Sequence, residues 1–215
     1  MDECCSNKSS EIAQLAEKAD QRRVLIAVMV INLAMFFIEF GAGVVARSSA
    51  LMADSVDMLG DAFVYLLSLY ALSRGPRWEA GAALAKGVII LVFGLLILVE
   101  IADKIANGVP PSSPLMVAFG SLALVANLAC LAMLWRFRKT NVNMSSTFEC
   151  SRNDVASNIG VIVAAGFVFL LDSPWPDIIV GGLIAAIFLW SAVKVLRGAW
   201  LAWKAGAALP PEALH

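Results

Sequence analysis

Charged side chains are scarce in this sequence of 215 residues: Asp, Glu, Lys and Arg together make up 15% of it, whereas ordinary soluble domains contain about 25%. Apolar residues make up 60%, and the mean hydropathy is +0.80. This composition excludes a soluble globular fold. The 16 basic residues are balanced by 17 acidic ones, so no positive excess favours binding to nucleic acid.

Cysteine and histidine are also rare. Of the four cysteines, Cys4 and Cys5 are adjacent, whereas Cys130 and Cys150 lie apart in apolar stretches, so they do not indicate the disulfide framework of a small secreted domain. The single histidine, His215, is the last residue, and we expect no function for it. The first 20 residues are polar and acidic without an apolar core, so they predict neither a signal peptide nor a transit peptide.

Long apolar runs dominate the rest of the sequence. A helix needs about 20 apolar residues to cross the roughly 30 Å hydrocarbon layer of a membrane. Six such stretches occur, approximately at residues 24–46, 50–73, 80–102, 115–135, 148–171 and 176–196. Because irregular backbone cannot be exposed to lipid, the sequence predicts an all-α integral membrane bundle of six transmembrane helices. The two tails and the even-numbered connections hold 11 Lys and Arg against two in the odd-numbered connections, which predicts that both termini are cytoplasmic.

Three segments follow from these spans. Residues 1–21 are expected to form a cytoplasmic tail, residues 22–204 the transmembrane transport domain, and residues 205–215 a short cytoplasmic tail in which no soluble domain fits. The first tail begins with two acidic residues followed by Cys4 and Cys5, and this segment has two possible interpretations. It is either an arm that captures metal ions or an unstructured polar tail, since adjacent cysteines alone do not form a zinc-binding motif.

Predicted helix two carries three aspartates, although a carboxylate near the bilayer centre costs on the order of 3 kcal/mol. At about 100° per residue, Asp54, Asp57 and Asp61 lie within about 60° of one another, with Asp57 and Asp61 one turn apart. Three like charges this close repel each other, so a bound cation or retained protons must compensate. The stripe therefore predicts a cation-binding face inside the bundle.

Predicted helix five supplies a matching pair, because Cys150 and Asp154 are also four residues apart and Asn158 continues the same face. Two facing pairs on packed helices give four ligands, as in a tetrahedral site inside a bundle. The predicted metal ligands are therefore Asp57, Asp61, Cys150 and Asp154, with Asn158 as an amide that orients the site. A thiolate favours Zn²⁺, Cd²⁺ or Co²⁺ over Mg²⁺ and Ca²⁺. No organic cofactor is expected.

Other ionisable residues in the spans have alternative interpretations. Glu39 is expected to line the ion path or to pair with a polar group of a neighbouring helix. Asp54 either guides ions from the outer side or lies in water near the external face. Lys86 and Glu100 are expected near helix ends, where long side chains reach the interface, and Glu100 is in register to pair with Lys104.

The two ligand pairs lie at different depths when they are counted from these boundaries. Asp57 and Asp61 are about 10 and 16 Å below the outer face, whereas Cys150 and Asp154 are about 3 and 9 Å above the inner one. Either helix five begins several residues earlier, near Asn143, or helix tilt and a water-filled inner cavity shift the site inward. The earlier start is the favoured explanation.

Together these features resemble the cation diffusion facilitator family of metal/proton antiporters. The similarity rests on residues 48–61, which read SSALMADSVDMLGD, on six spans with cytoplasmic termini, and on the helix-five pair followed by Asn158-Ile-Gly-Val. The resemblance implies a transport site at Asp57, Asp61, Cys150 and Asp154. Most members have His in place of Cys150, many have His in place of Asp57, and most carry a further cytoplasmic domain, which a chain of this length is expected to lack.

The resemblance implies export of a divalent transition metal in exchange for protons by alternating access, with Zn²⁺ favoured and Cd²⁺, Co²⁺ and Hg²⁺ open. It also implies a homodimer in the lipid of a bacterial inner membrane, a role in heavy-metal resistance, and no enzymatic activity. Two other classes stay open. One is a non-transporting metal sensor or assembly subunit. The other is an intramembrane aspartyl protease, although the sequence lacks the Gly-x-Gly-Asp segment of such enzymes.

Overall fold

The structure, a computed structural model, describes the backbone of residues 2–66, 69, 76–139 and 142–205, and the side chains of these residues except 2–17, 76–79, 142–143, 145–146 and 205. Every regular element in these ranges is a helix, which confirms the all-α prediction. The helices are α1 (Asp2–Ala46), α2 (Ser49–Leu66), α3 (Pro76–Asn107), α4 (Ser113–Trp135), α5 (Val142–Leu171) and α6 (Trp175–Ala205).

Among the described residues, five helices are long and apolar enough to cross a membrane: Lys18–Ala46, Ala80–Asn107, Ser113–Trp135, Thr147–Leu171 and Trp175–Lys204. At most 33% of the most apolar stretch of each is buried within the bundle. Large apolar side chains such as Phe169 and Leu170 therefore remain on the outer surface, where they are 75% and 74% exposed. An apolar surface of this extent is expected of a multi-pass helix bundle in lipid.

The remaining helix, α2, lies at the centre of the bundle. It contacts all five other helices, and 14 of its 18 residues are buried. A helix surrounded by protein needs no lipid-facing surface, and this position explains how α2 can carry three aspartates. The predicted second span continued to residue 73, and residues 67–68 and 70–73 of it lie outside the described part of the chain.

Each helix begins earlier than the apolar pattern predicted, and α1 and α5 show the largest differences. α1 begins at Asp2, so the tail predicted at residues 1–21 is helical over most of its length and the interpretation of an unstructured tail is wrong. The side chains of Cys4 and Cys5 lie outside the described residues, as does the C-terminal tail beyond residue 205. α5 begins at Val142, six residues before the predicted boundary, which confirms the expected start near Asn143.

A tight turn joins α1 to α2 at the end of the bundle opposite the two termini, which we call the outer end. Arg47 adopts a left-handed conformation (φ 52°), and the N–H of Ser48 donates to the carbonyl of Gly43 at 2.8 Å, which closes α1. The Ser48 hydroxyl then accepts from the N–H of Leu51 at 3.1 Å and caps α2. A Cβ on Gly43 would lie 2.9 Å from the backbone nitrogen of Met52, so only glycine permits this approach of α1 to α2.

The outer end also holds a buried ion pair that links three helices, and we call Ser48, Ser49, Lys104 and Asp177 the outer cluster. The Asp177 carboxylate accepts from two backbone N–H groups at the start of α2, at 2.9 and 3.1 Å, and from the Ser48 hydroxyl at 2.6 Å. The ammonium of Lys104 donates to Asp177 and, at 2.8 Å, to the Ser49 hydroxyl. The expected pairing of Lys104 with Glu100 is therefore wrong, because α6 offers a buried carboxylate.

Candidate metal site

The two predicted ligand pairs meet where α2 and α5 pack against each other. The side chain of Asp57 lies next to that of Asp154, and the side chain of Asp61 lies next to the thiol of Cys150. A spacing of four residues places both members of each pair on one side of their helix. The structure thus places the four residues that the sequence predicts as metal ligands in two neighbouring pairs between α2 and α5.

A cavity of about 460 Å³ adjoins three of these residues, Asp57, Asp61 and Cys150. It is lined by the second half of α2 and the first half of α5, so it lies toward the end of the bundle that holds the termini. Because one water takes about 30 Å³ of liquid volume, the cavity has room for a hydrated ion. Its other polar lining residues come from α3, α5 and α6: Lys86, Glu149, Asn153, Ser157 and Ser191.

Of the four ligand residues, Asp61 and Asp154 are buried, whereas Asp57 and Cys150 are half-buried. Asp61 is 6% exposed and accepts from the hydroxyl of Tyr65 at 2.8 Å, whereas Asp154 is 3% exposed and its Oδ2 has no hydrogen-bond partner among the described residues. Within the same part of the chain, no group of three or more His, Cys, Asp or Glu side chains is gathered closely enough to hold a metal ion. The four residues therefore form two contacting pairs in this conformation, not a closed cage.

Asn158 lies one turn beyond Asp154 on α5 and is fully buried. Its Nδ2 donates to the backbone carbonyl of Asp154 at 2.7 Å, while its Oδ1 has no partner in the described part of the molecule. This hydrogen bond is internal to α5. The predicted role of Asn158 in orienting the ligand side chains stays a prediction.

Two further acids continue the acidic face toward the outer end. Glu39 of α1 and Asp54 of α2 lie side by side and are 0% and 1% exposed. Neither Glu39 carboxylate oxygen, nor Oδ2 of Asp54, has a hydrogen-bond partner among the described residues. The interpretation that Asp54 lies in water near the external face is wrong, because the packing of α1 against α2 buries it.

One residue of this region, Lys86, does not lie where the sequence predicts it. It was expected near a helix end, but it is 9% exposed and lines the cavity. Its main electrostatic neighbours there are Asp61, Cys150 and Asp57. The reason is that α3 begins at Pro76, so Lys86 lies well inside the helix. The sequence signal for this position is the helical spacing, because the apolar residues Ala83 and Ile90 lie three residues before and four after Lys86 and so share its face of α3.

Comparison with known proteins matches residues 25–201 to the model of the cation efflux transmembrane domain. Zinc transporter ZitB of Escherichia coli is 26% identical over 198 residues, which are 86% of this chain and 63% of that protein. The cadmium, cobalt and zinc/H(+)-K(+) antiporter of Bacillus velezensis is 22% identical over 190 residues, 82% of this chain and 61% of the relative. The metal cation efflux system protein CzcD of Cupriavidus metallidurans is 25% identical over 175 residues, 76% of this chain and 51% of the relative.

The chain spans between half and about three-fifths of the length of these relatives. The family match nevertheless runs from the middle of α1 to near the end of α6, so it includes α2, α5 and both ligand pairs. A match of this extent excludes the intramembrane protease alternative. The chain is a multi-pass membrane protein of the cation efflux family, the cation diffusion facilitators that its sequence resembles, and it is not an enzyme.

Proposed function

We propose that this chain exports a divalent transition-metal ion, preferentially Zn²⁺, from the cytosol in exchange for protons. The ion binds between α2 and α5, to Asp57, Asp61, Cys150 and Asp154, and crosses by alternating access. The observation that carries the proposal is the contact of Asp57 with Asp154, and of Asp61 with Cys150, beside a cavity in the half of the bundle nearest the termini.

The donor set supports the choice of metal. Carboxylates alone would suit Mg²⁺ or Ca²⁺ with six or more ligands, whereas the Cys150 thiolate favours softer ions that accept four. The relatives described above are named for zinc, cadmium and cobalt, which agrees with this preference. We therefore rank Zn²⁺ first and Cd²⁺ and Co²⁺ next, with Hg²⁺ as a candidate because of the thiol.

The charge of the site supports exchange against protons. Three carboxylates and a thiolate would carry −4 when fully deprotonated, and one divalent ion would leave −2, which is costly in a low-dielectric interior. The empty site therefore holds protons that an arriving ion displaces, and because the four groups interact strongly they titrate as a coupled set. The name of the Bacillus relative, an antiporter of metal against H⁺ and K⁺, agrees with such an exchange.

The described conformation suggests how the ion moves. Because the ligands form two contacting pairs, ion binding has to draw α2 and α5 together until all four atoms coordinate. Glu39 and Asp54 then continue the acidic face toward the outer end and offer the ion or its counter-transported protons a route away from the site. Both carboxylate oxygens of Glu39 and Oδ2 of Asp54 have no hydrogen-bond partner among the described residues, which leaves them available for this task.

The proposal includes the setting of the protein. α2 crosses the membrane as the sixth span, shielded from lipid by its neighbours, and the excess of Lys and Arg in the tails supports cytoplasmic termini. The bacterial relatives support a bacterial inner membrane. The homodimer rests on the family resemblance, and cross-linking in native membranes tests it.

Zinc flux into proteoliposomes with an imposed pH gradient tests the transport site. Asp57→Ala, Asp61→Ala and Asp154→Ala should each abolish flux while the protein stays folded and inserted, since losing one ligand weakens the hold of the other three. Asp172→Asn, which changes an exposed carboxylate just after α5, should keep wild-type flux.

Near-normal flux by Asp61→Ala would refute the site. Zinc binding without any flux that depends on the pH gradient would instead favour the metal sensor or assembly subunit.

A further inference from the structure

The side chain of a buried lysine, Lys86, lines the cavity beside the proposed transport site. Lys86 lies ten residues after the first residue of α3, which is about 15 Å along the helix axis. At that depth its side chain cannot reach water beyond the helix end, as lysines near helix termini do. It is 9% exposed and lines the cavity together with Asp57, Asp61 and Cys150.

Lys86 is not fixed to any one of these acids. The three ion pairs within 4.0 Å that described residues form lie elsewhere: Arg23 with Asp20, Lys104 with Asp177, and Arg152 with Glu149. The Lys86 ammonium is nevertheless close enough for Asp61, Cys150 and Asp57 to be its main electrostatic partners. Lys86 therefore shares a cavity with the ligands and forms no ion pair with any other described residue.

We propose that Lys86 is a tethered counter-cation of the transport site, which holds the acidic ligands in place when no metal is bound and weakens metal binding enough for release. This inference rests on the proposed function and adds a residue to it. With Lys86 included, the fully deprotonated site carries −3, and a divalent ion leaves only −1. A positive charge in the same low-dielectric cavity also repels the arriving ion, so Lys86 and the metal compete for the same carboxylates.

If Lys86 competes with the metal, removing its charge should change metal affinity in the opposite direction from the loss of a side chain that only packs against the site. Removing the charge should tighten binding, because the metal no longer has to displace the ammonium from the carboxylates. Losing a side chain that merely supported the site would loosen binding. Tighter binding in turn slows release, so the same substitution should lower both the KM and the maximal rate of transport.

The test compares four forms of the full-length chain: wild type, Lys86→Met, Lys86→Arg and, as a control, Lys194→Met, which removes an exposed lysine of α6. Zn²⁺ is titrated into each purified protein, and Zn²⁺ flux is measured in proteoliposomes. Lys86→Met should bind Zn²⁺ on the order of tenfold more tightly and transport it with a lower KM and a lower maximal rate. Lys86→Arg keeps the charge and should restore most of the wild-type affinity.

Unchanged or weaker Zn²⁺ binding by Lys86→Met would overturn the inference. If that variant does not fold, Lys86→Gln removes the same charge with a polar side chain and is judged by the same criterion. Asp61→Ala, measured in parallel, separates the two proposals. Wild-type binding by Asp61→Ala would mean that the transport site is misplaced, whereas its loss together with an unchanged affinity of Lys86→Met would contradict the role of Lys86 alone.

Discussion

The molecule buries a lysine near aspartates in two regions, and the two regions differ in how completely their polar atoms are bonded. In the outer cluster, both oxygens of Asp177 accept hydrogen bonds, and Lys104 donates to two oxygens. At the proposed metal site, neither an ion pair of Lys86 nor a partner for one oxygen of Asp154 is found among the described residues. Lysine and aspartate therefore form a hydrogen-bonded contact between helices in the outer cluster, whereas at the proposed metal site they leave polar atoms available to a ligand.

This difference in hydrogen bonding agrees with a structural role for the outer cluster and with the ion-binding role that we propose for the metal site. A buried ion pair with every atom hydrogen-bonded has no free atom left to offer a ligand, and breaking it leaves an uncompensated charge. A site that binds and releases an ion instead needs polar groups that are not fully hydrogen-bonded to protein, so that they can coordinate the ion at little energetic cost. The outer cluster should therefore govern stability and the metal site should govern transport.

Removal of Asp177 should give the largest effect on folding. Asp177→Ala leaves the ammonium of Lys104 buried without its carboxylate partner and removes an acceptor for two N–H groups at the start of α2. We expect the free energy of unfolding to fall by about 3–5 kcal/mol. Thermal unfolding of the purified protein in detergent, followed by circular dichroism, measures this loss.

The metal site provides the matched control for stability. Asp154→Ala removes a carboxylate of equal burial from a cluster of like charges, so the free energy of unfolding should change by less than about 1 kcal/mol while transport is lost. Replacing both partners of the outer pair, as in Asp177→Leu with Lys104→Met, should recover much of the lost stability. A more severe unfolding effect from Asp154→Ala than from Asp177→Ala would reverse the comparison.

Exchange of the thiol for an imidazole should change which metal is preferred. Cys150→His should keep Zn²⁺ transport and lower the ratio of Cd²⁺ to Zn²⁺ flux by on the order of tenfold, because imidazole is a harder ligand than thiolate. Competitive flux with both ions in one vesicle preparation gives the ratio. The control is Cys130→Ala, since Cys130 is fully buried in an apolar cluster. An unchanged ratio in Cys150→His would show that Cys150 does not contact the ion.

Metal binding should release protons from the metal site and none from the outer cluster. We expect at least about one proton per bound ion at pH 7, because the four ligand groups cannot all be charged without a cation. Since protons and metal compete for the same atoms, metal affinity should fall as pH falls. Titration of Zn²⁺ into weakly buffered detergent-solubilised protein with a pH dye counts the protons. A release of less than one proton would redirect attention to Glu39, Asp54 or Glu149 as the proton carrier.

The smallest effect is expected from the N-terminal cysteines, which lie in neither region. If Cys4 and Cys5 capture metal, replacing both with Ser should raise the KM a few-fold at low cytoplasmic metal and leave the maximal flux unchanged, since the arm alters only the local concentration. Flux measured over a range of Zn²⁺ concentrations gives both constants. Identical KM values would assign no transport role to these cysteines.

The local parts of the fold and site were predictable from sequence. Runs of apolar residues predicted the helices, and a spacing of four residues predicted which side chains share a helix face, as with Asp57 and Asp61. Helix ends were less predictable: α5 begins at Val142 because polar residues extend the helix beyond its apolar part. The depth mismatch between the two ligand pairs nevertheless indicated that earlier start.

The sequence did not predict which charged side chains of different helices lie next to each other. Lys104 was expected to pair with Glu100 along its own helix, but it pairs with Asp177 of α6, and Lys86 was expected at an interface but lies in the cavity. For Asp54 the sequence left two interpretations open, and only the packing of α1 against α2, which buries it, excludes the one that placed it in water. Each of these outcomes depends on which helix lies beside which, and a single helix contains no information about that.

By itself, the sequence determined that the chain is a membrane helix bundle with an acidic stripe on one helix and a Cys–Asp pair on another, because hydropathy and helical periodicity are local properties of the chain. The tertiary structure alone decided which buried charges meet. Packing places Asp177 against the start of α2, where both of its carboxylate oxygens accept hydrogen bonds. It also places Lys86, Asp57, Asp61 and Cys150 around a cavity, and leaves one oxygen of the neighbouring Asp154 without a partner among the described residues. That outcome depends on long-range contacts between helices, and it separates the structural charges from those that we propose act on the metal.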